Sequence, residues 1–186
     1  MIYEIKKTAI KWFGNIIISK YPLFVTFGHT AYKIKGEDVR NILNVIKPGD
    51  ILLRRFDSYV SGLMIPGYFT HAAIYIGDDQ IIHMLGDGIT KEDILTFTRC
   101  DDIAIIHCNQ EQISNIAIEK AIEYLNKGEE YDYNFDFSND KRLSCTELVN
   151  DVYNNPKFTR LKKDYIMPDD LLTLDKSVFT ISYKKG

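Results

Sequence analysis

Cysteine is scarce in this 186-residue chain, which has three: Cys100, Cys108 and Cys145. An odd count without C-x-x-C spacing excludes a disulfide framework and a zinc ribbon, and it fits a reducing, cytoplasmic compartment. Glycine and proline are also few, 11 and 5, which excludes collagen-like and low-complexity chains. No uncharged apolar run reaches the roughly 18 residues of a membrane span. Lys and Arg total 23 against 26 Asp and Glu, a formal net charge of −3. Without a basic excess, a nucleic-acid partner is not expected. What the chain does have is 45% hydrophobic and 12% aromatic residues. That content excludes disorder, and a chain of this length buries roughly 70% of its unfolded surface without staples.

The N-terminus has early lysines like those of a signal peptide. Its apolar stretch is broken by Lys11 and Gly14-Asn15, and no A-x-A site follows, so it is read as mature protein. Ile2, Ile5, Ala9, Trp12, Phe13 and Ile16 fall at helical spacing with Lys6, Lys7 and Lys11 off the stripe. This predicts a helix over 2–18. Its apolar face suits either a protein contact or a peripheral membrane contact through residues 1–20.

Further along, Val39, Ile42, Leu43 and Ile46 predict a helix over 37–46, stopped before Lys47-Pro48. Strands are predicted at 51–56 and 103–108, a hairpin over 69–85, and a last strand at FTISY. The clearest helix is 110–127, with Ile113, Ile116, Ala117, Ala121 and Leu125 inward and Gly128 as its stop. Residues 131–137, YDYNFDF, alternate, with four aromatics on one face and Asp132, Asn134 and Asp136 on the other. That aromatic face is either an inner sheet face or the lining of an apolar pocket. The fold class is α+β with a mainly antiparallel sheet, organised as a helical arm over 1–46 and a domain over 47–186.

Ser144-Cys145-Thr146-Glu147 has the capping-box pattern, with Ser at the N-cap and Glu three residues on. Cys145 then opens a helix, where the dipole and unpaired backbone amides favour a thiolate. The same position also suits an ordinary buried cysteine, so a functional reading needs a base nearby. His107 sits in an apolar strand, and His29 follows Phe27-Gly28 in a loop-like stretch. His71 and His83 fall in one predicted hairpin, where register decides whether they meet. A two-residue turn at Asp78-Asp79 pairs His71 with Gly86 and sends the two histidines to opposite faces. A three-residue turn, Gly77-Asp78-Asp79, pairs Ile76 with Gln80 and Ala73 with His83, making His71 and His83 diagonal neighbours on one face. The three-residue turn is therefore expected if the histidines cooperate.

PGDILL, FTHAAIYIG, IIHM and LSCTELV, in that order, resemble the permuted branch of NlpC-type papain-fold cysteine hydrolases. The likeness is to the YiiX-like group, with the lecithin retinol acyltransferase-like enzymes as relatives. It covers roughly residues 47–153. The resemblance implies a circularly permuted papain-like fold with Cys145 as nucleophile, His71 as general base and His83 as the third, orienting residue. YiiX-like members commonly carry a glutamate at that third position, so His83 is a departure from the group. Asp50 matches the acid of the family's GDIL turn, in a structural role. Tyr75 shares the strand face of His71 and either lines the cleft or packs in the core.

The expected activity is that of a thiol hydrolase cleaving a peptide, peptidoglycan-type or isopeptide amide. The alternatives are a lipid acyl hydrolase or acyltransferase at a membrane surface, and a catalytically silent binding module. No cofactor is expected. A zinc site built from His71, His83 and Cys145 is the remaining alternative, since these are zinc-ligand types.

Overall fold

The computed structural model describes residues 16–18, 25–27, 32–57, 65–132, 142–153 and 166–185. The chain divides into two compact units, Met1–Tyr32 and Lys33–Gly186. In the first, β1 (Ile16–Ile18) pairs antiparallel with β2 (Val25–Phe27). The helix expected over 2–18 therefore fails at its C-terminal end. Three consecutive isoleucines have restricted χ1 and favour extended backbone. The rest of that helix, His29 and the expected membrane contact lie outside the described residues.

The second unit opens with α1 (Gly36–Val45). Then come β3 (Ile51–Arg55), β4 (His71–Gly77), β5 (Gln80–Leu85), β6 (Gly88–Asp93) and the short α2 (Ile94–Phe97). β7 (Asp102–Cys108), α3 (Glu111–Lys127), β8 (Glu130–Tyr131), β9 (Arg142–Leu143) and α4 (Cys145–Val152) follow. A 3₁₀ turn (Pro168–Thr173) and β10 (Phe179–Lys184) complete it. Six strands form one antiparallel sheet in the order β10-β7-β3-β4-β5-β6. β8 and β9 pair in parallel as a separate ribbon. Among the described residues no helix is long and apolar enough to cross a membrane.

Both faces of the sheet are covered, which is why its central strands read as continuous apolar runs rather than alternating ones. Ile51, Leu53, Ala72, Ile74, Ile82, Met84, Ala104 and Ile106 meet Ala117 and Ala121 of α3 and Leu148, Val149 and Val152 of α4. The other face, with Leu52, Ala73, Tyr75, Ile81, Ile103 and Ile105, meets Ile42 of α1 and Ile94 and Phe97 of α2. α1, assigned to the arm from sequence, thus buries its apolar stripe in the core of the second unit.

α3 ends as predicted, with Gly128 left-handed at φ 69 and ψ 47. Ile116 departs from its expected inward position and is 52% exposed, because the buried stripe runs through Ser114, Ala117 and Ala121 with Ile113 and Leu125 packed beside it. Small residues there let the helix approach closely. At the start of YDYNFDF, Asp132 is fully buried and its amide donates to the Leu143 carbonyl. The polar face of this segment is thus buried at that position, and Tyr133 to Phe137 lie outside the described residues.

Candidate active site

Cys145 is the first residue of α4, as the capping box predicts. Ser144 is the N-cap in extended conformation, and its hydroxyl accepts the Glu147 amide at 3.3 Å. In return, Glu147 Oε2 accepts the Ser144 amide at 2.6 Å. Thr146 Oγ1 donates to the Ile166 carbonyl at 2.6 Å and fastens the first turn. Three backbone amides, those of Ala72, Thr146 and Cys145 itself, favour the thiolate. Cys145 nonetheless lies in the interior, 5% exposed, and burial pushes its thiol pKa up to about 11. The expectation of a depressed thiol pKa is therefore corrected. The helix-start amides act in the expected direction, but desolvation of a buried anion is the larger effect.

The hairpin brings His71 and His83 together by a route that differs from the expected one. Gly77 pairs with Gln80, so the turn has two residues, Asp78 and Asp79, and not three. Both aspartates are left-handed, φ 51 and 57, the conformation that matches the strand twist in a tight hairpin. A bulge lies upstream, where the register passes from Tyr75↔Ile81 to Gly77↔Gln80 and leaves Ile76 as the extra residue. Gly77, at φ 94, absorbs the distortion. The one-residue shift restores Ala73↔His83, the pairing expected from sequence. His71 Nε2 then lies 3.0 Å from His83 Nδ1.

His83 is completely buried and its pKa is lowered to about 3, first by burial and then by the Arg54 guanidinium. His71 remains half-buried; its pKa is held well below the ordinary imidazole value by desolvation, then by Arg54 and by His83. Both rings are therefore neutral at pH 7. Arg54 stands opposite His71 on β3 and stacks 4.3 Å above the Phe97 ring of α2. Its Nη1 is 3.7 Å from Glu92 Oε2, and the same oxygen is 3.8 Å from His83 Nε2.

The His71 ring hydrogen-bonds to His83 and not to Cys145. What links Cys145 to that strand is the amide of Ala72, the residue that follows His71. Asp50 is buried, accepts the Lys47 amide at 2.9 Å and pairs with His107 Nδ1 at 2.6 Å. It holds the Pro48-Gly49-Asp50 turn, and burial raises its pKa. Tyr75 packs in the core, and its hydroxyl accepts the Asp79 amide at 3.2 Å. Cys100 and Cys108 are core residues, and burial raises the Cys100 thiol to about 12. Sequence reasoning missed Arg54 and Glu92. Their only signal was charge on strand positions that share a face with the histidines. Among the described residues, no three His, Cys, Asp or Glu side chains gather to hold a metal ion.

The fold matches the crystal structure of a metalloprotein, YiiX, from Escherichia coli O157:H7. The TM-score is 0.60 at 16% sequence identity, over 76% of this chain and 98% of that one. No curated protein matches the sequence. Residues 45–185 match the family described as permuted papain-like amidase enzymes, YaeF/YiiX, C92. This span takes in the PGDILL turn, the histidine hairpin and the cysteine helix in the permuted order, and the chain belongs to that family of permuted papain-like amidases.

Proposed function

We propose that this protein is a cysteine amidase in which Cys145 is the nucleophile, His71 the general base and His83 the residue that orients it. The observation that carries this reading is the 3.0 Å hydrogen bond between His71 Nε2 and His83 Nδ1. It commits Nε2 of His71 to His83 and leaves Nδ1 as the nitrogen available to a thiol. For Nδ1 to be a base, the proton of neutral His71 must sit on Nε2 and be donated to His83 Nδ1. His71 is the first residue of β4, next to the Ala72 amide that faces the sulfur, and bringing Nδ1 to the thiol requires its ring to turn around the strand end.

The resting pair is thiol and neutral imidazole. As the sulfur attacks an amide carbonyl, His71 Nδ1 takes the thiol proton. The amides opening α4 receive the developing oxyanion. His71 then returns the proton to the leaving amine, and a thioester remains on Cys145. Water, deprotonated by the same nitrogen, attacks the thioester and releases a carboxylic acid and the free thiol. The substrate is the amide of a peptide, a peptidoglycan-type stem or an isopeptide.

Peptide mapping after brief iodoacetamide treatment of the folded protein tests the assignment. Cys145 is expected to label well ahead of Cys100 and Cys108, and His71→Ala to remove that preference. Equal labelling of all three cysteines sinks the proposal. Release of fatty acid from ester substrates, with no amine released from amides, supports the lipid-directed reading instead.

A further inference from the structure

The His71–His83 bond has a requirement at its far end. If His71 donates through Nε2, His83 must accept at Nδ1, and the proton of neutral His83 then sits on Nε2. That atom is buried and has no hydrogen-bond partner among the described residues. An unsatisfied buried N–H is costly. Glu92 Oε2 is buried, also without a hydrogen-bond partner, and 3.8 Å away. Strand register explains the placement. Ile81 faces Glu92 and His83 faces Thr90, so Glu92 is the diagonal neighbour of His83 on the same face of the sheet. Hydrogen-bond distance, about 2.9 Å, is about 1 Å shorter than their 3.8 Å separation.

We infer that Glu92 is a positioning residue for the catalytic histidine: it accepts the proton of His83 Nε2, fixes the tautomers of both imidazoles, and thereby presents His71 Nδ1 to Cys145. This rests on the cysteine amidase reading and deepens it. The charged and titratable groups facing the two rings are Arg54 from β3, Glu92 from β6 and the rings themselves, while α2 contributes the Phe97 ring. Arg54 opposes a positive charge on either histidine. His71 must carry one briefly after taking the thiol proton. Glu92 lies between the guanidinium and His83, 3.7 Å from one and 3.8 Å from the other. It offsets Arg54 at the moment that charge appears.

The test uses the full-length protein, Glu92→Gln and Glu92→Ala. Long-range ¹H–¹⁵N spectra of the histidine side chains report the tautomers, and the iodoacetamide rate at Cys145 reports the base. In the unaltered protein both imidazoles are expected as Nε2–H tautomers. Glu92→Gln retains an acceptor oxygen, so it should keep those tautomers while slowing alkylation roughly tenfold through the lost charge. Glu92→Ala should give mixed His83 tautomers and a slower rate still. An Nδ1–H tautomer at His83 in the unaltered protein overturns the inference. So do tautomers and alkylation rates unchanged in both variants. If Cys145 of the unaltered protein is no more reactive than Cys100 and Cys108, the cysteine amidase reading fails, and the tautomers alone decide the role of Glu92.

Discussion

Acid sensitivity follows from the two buried imidazoles. In the unfolded chain both histidines titrate near 6.5, whereas in the folded protein His83 is lowered to about 3 and His71 lies well below its ordinary value. Between these limits the unfolded state binds protons that the folded state does not. Stability is thus fully present above about pH 6.5 and falls as the pH drops through that value toward the folded pKa. At pH 5.0 the proton uptake of one unfolded histidine is worth about 2 kcal/mol relative to pH 7.5. His83, with no exposed surface, contributes that in full. His71, shifted in the same direction, adds to it. Even the His83 share alone is a sizeable part of the 5–15 kcal/mol typical of a domain. The window stops at pH 5 because the lowered carboxyls of Asp38, Asp57 and Asp175 begin to lose their contributions below it. Asp50, raised by burial, works in the opposite sense. Urea denaturation at pH 7.5, 6.0 and 5.0 reads the effect directly. With a slope of about 2 kcal/mol per molar, the midpoint should fall by at least about 1 M. His83→Gln should be less stable at pH 7.5 but remove the His83 share of the pH dependence. A midpoint that holds steady from pH 7.5 to 5.0, or an undiminished slope in His83→Gln, would refute the account of the site as neutral and desolvated.

Two structural substitutions test the supports around the site. Gly49 has φ +86, and a Cβ there would stand 2.4 Å from Ser114 Cβ on α3. Gly49→Ala should cost more than about 2 kcal/mol in a thermal melt, and adding Ser114→Gly should recover the part due to the clash but not the part due to φ. Ser144→Ala removes the N-cap and half of the capping box at the cysteine helix. A loss of about 1 kcal/mol is expected by urea denaturation, and no measurable loss would show that Thr146 and its bond to Ile166 hold the helix start unaided.

Much of the fold was legible because its signals are local and strong. The Pro48-Gly49-Asp50 turn, the strand at Ile51, the Gly128 stop and the Ser144–Glu147 box each name their own conformation, and all occur where read. The hairpin was only half legible. Alternation and the requirement that two histidines meet gave the Ala73↔His83 register, but two backbone geometries yield that register. Sequence spacing does not distinguish a three-residue loop from a two-residue turn followed by a bulge, and here Asp78 and Asp79 are both left-handed. The failed helix at Ile16–Ile18 has a different origin. Apolar residues at helical spacing outvoted a β-branched run that pairs as a strand. Arg54 and Glu92 were invisible because their significance comes from long-range strand pairing, which places a charge on β3 and another on β6 beside the same buried ring.

The largest gap between sequence and structure concerns the charge state of Cys145, and it can be measured. A helix start predicts a thiolate, and an ion pair with His71 would be active over a broad plateau beginning well below neutrality. The structure places the thiol at about 11 and the imidazole well below its ordinary value. Before a carbonyl is bound, moving the proton from sulfur to nitrogen therefore runs uphill. Little ion pair exists at rest, so the proton must move in concert with attack on a bound carbonyl, when the amides of α4 take up the oxyanion. With iodoacetamide, which forms no oxyanion, alkylation near neutral pH goes through His71, and from pH 8 upward the direct thiolate route at Cys145 should add to it, accelerating about tenfold per pH unit and levelling off only near the thiol pKa. A rate with no further rise above pH 8 would mean that the site holds an ion pair, and that the helix-start amides outweigh burial after all.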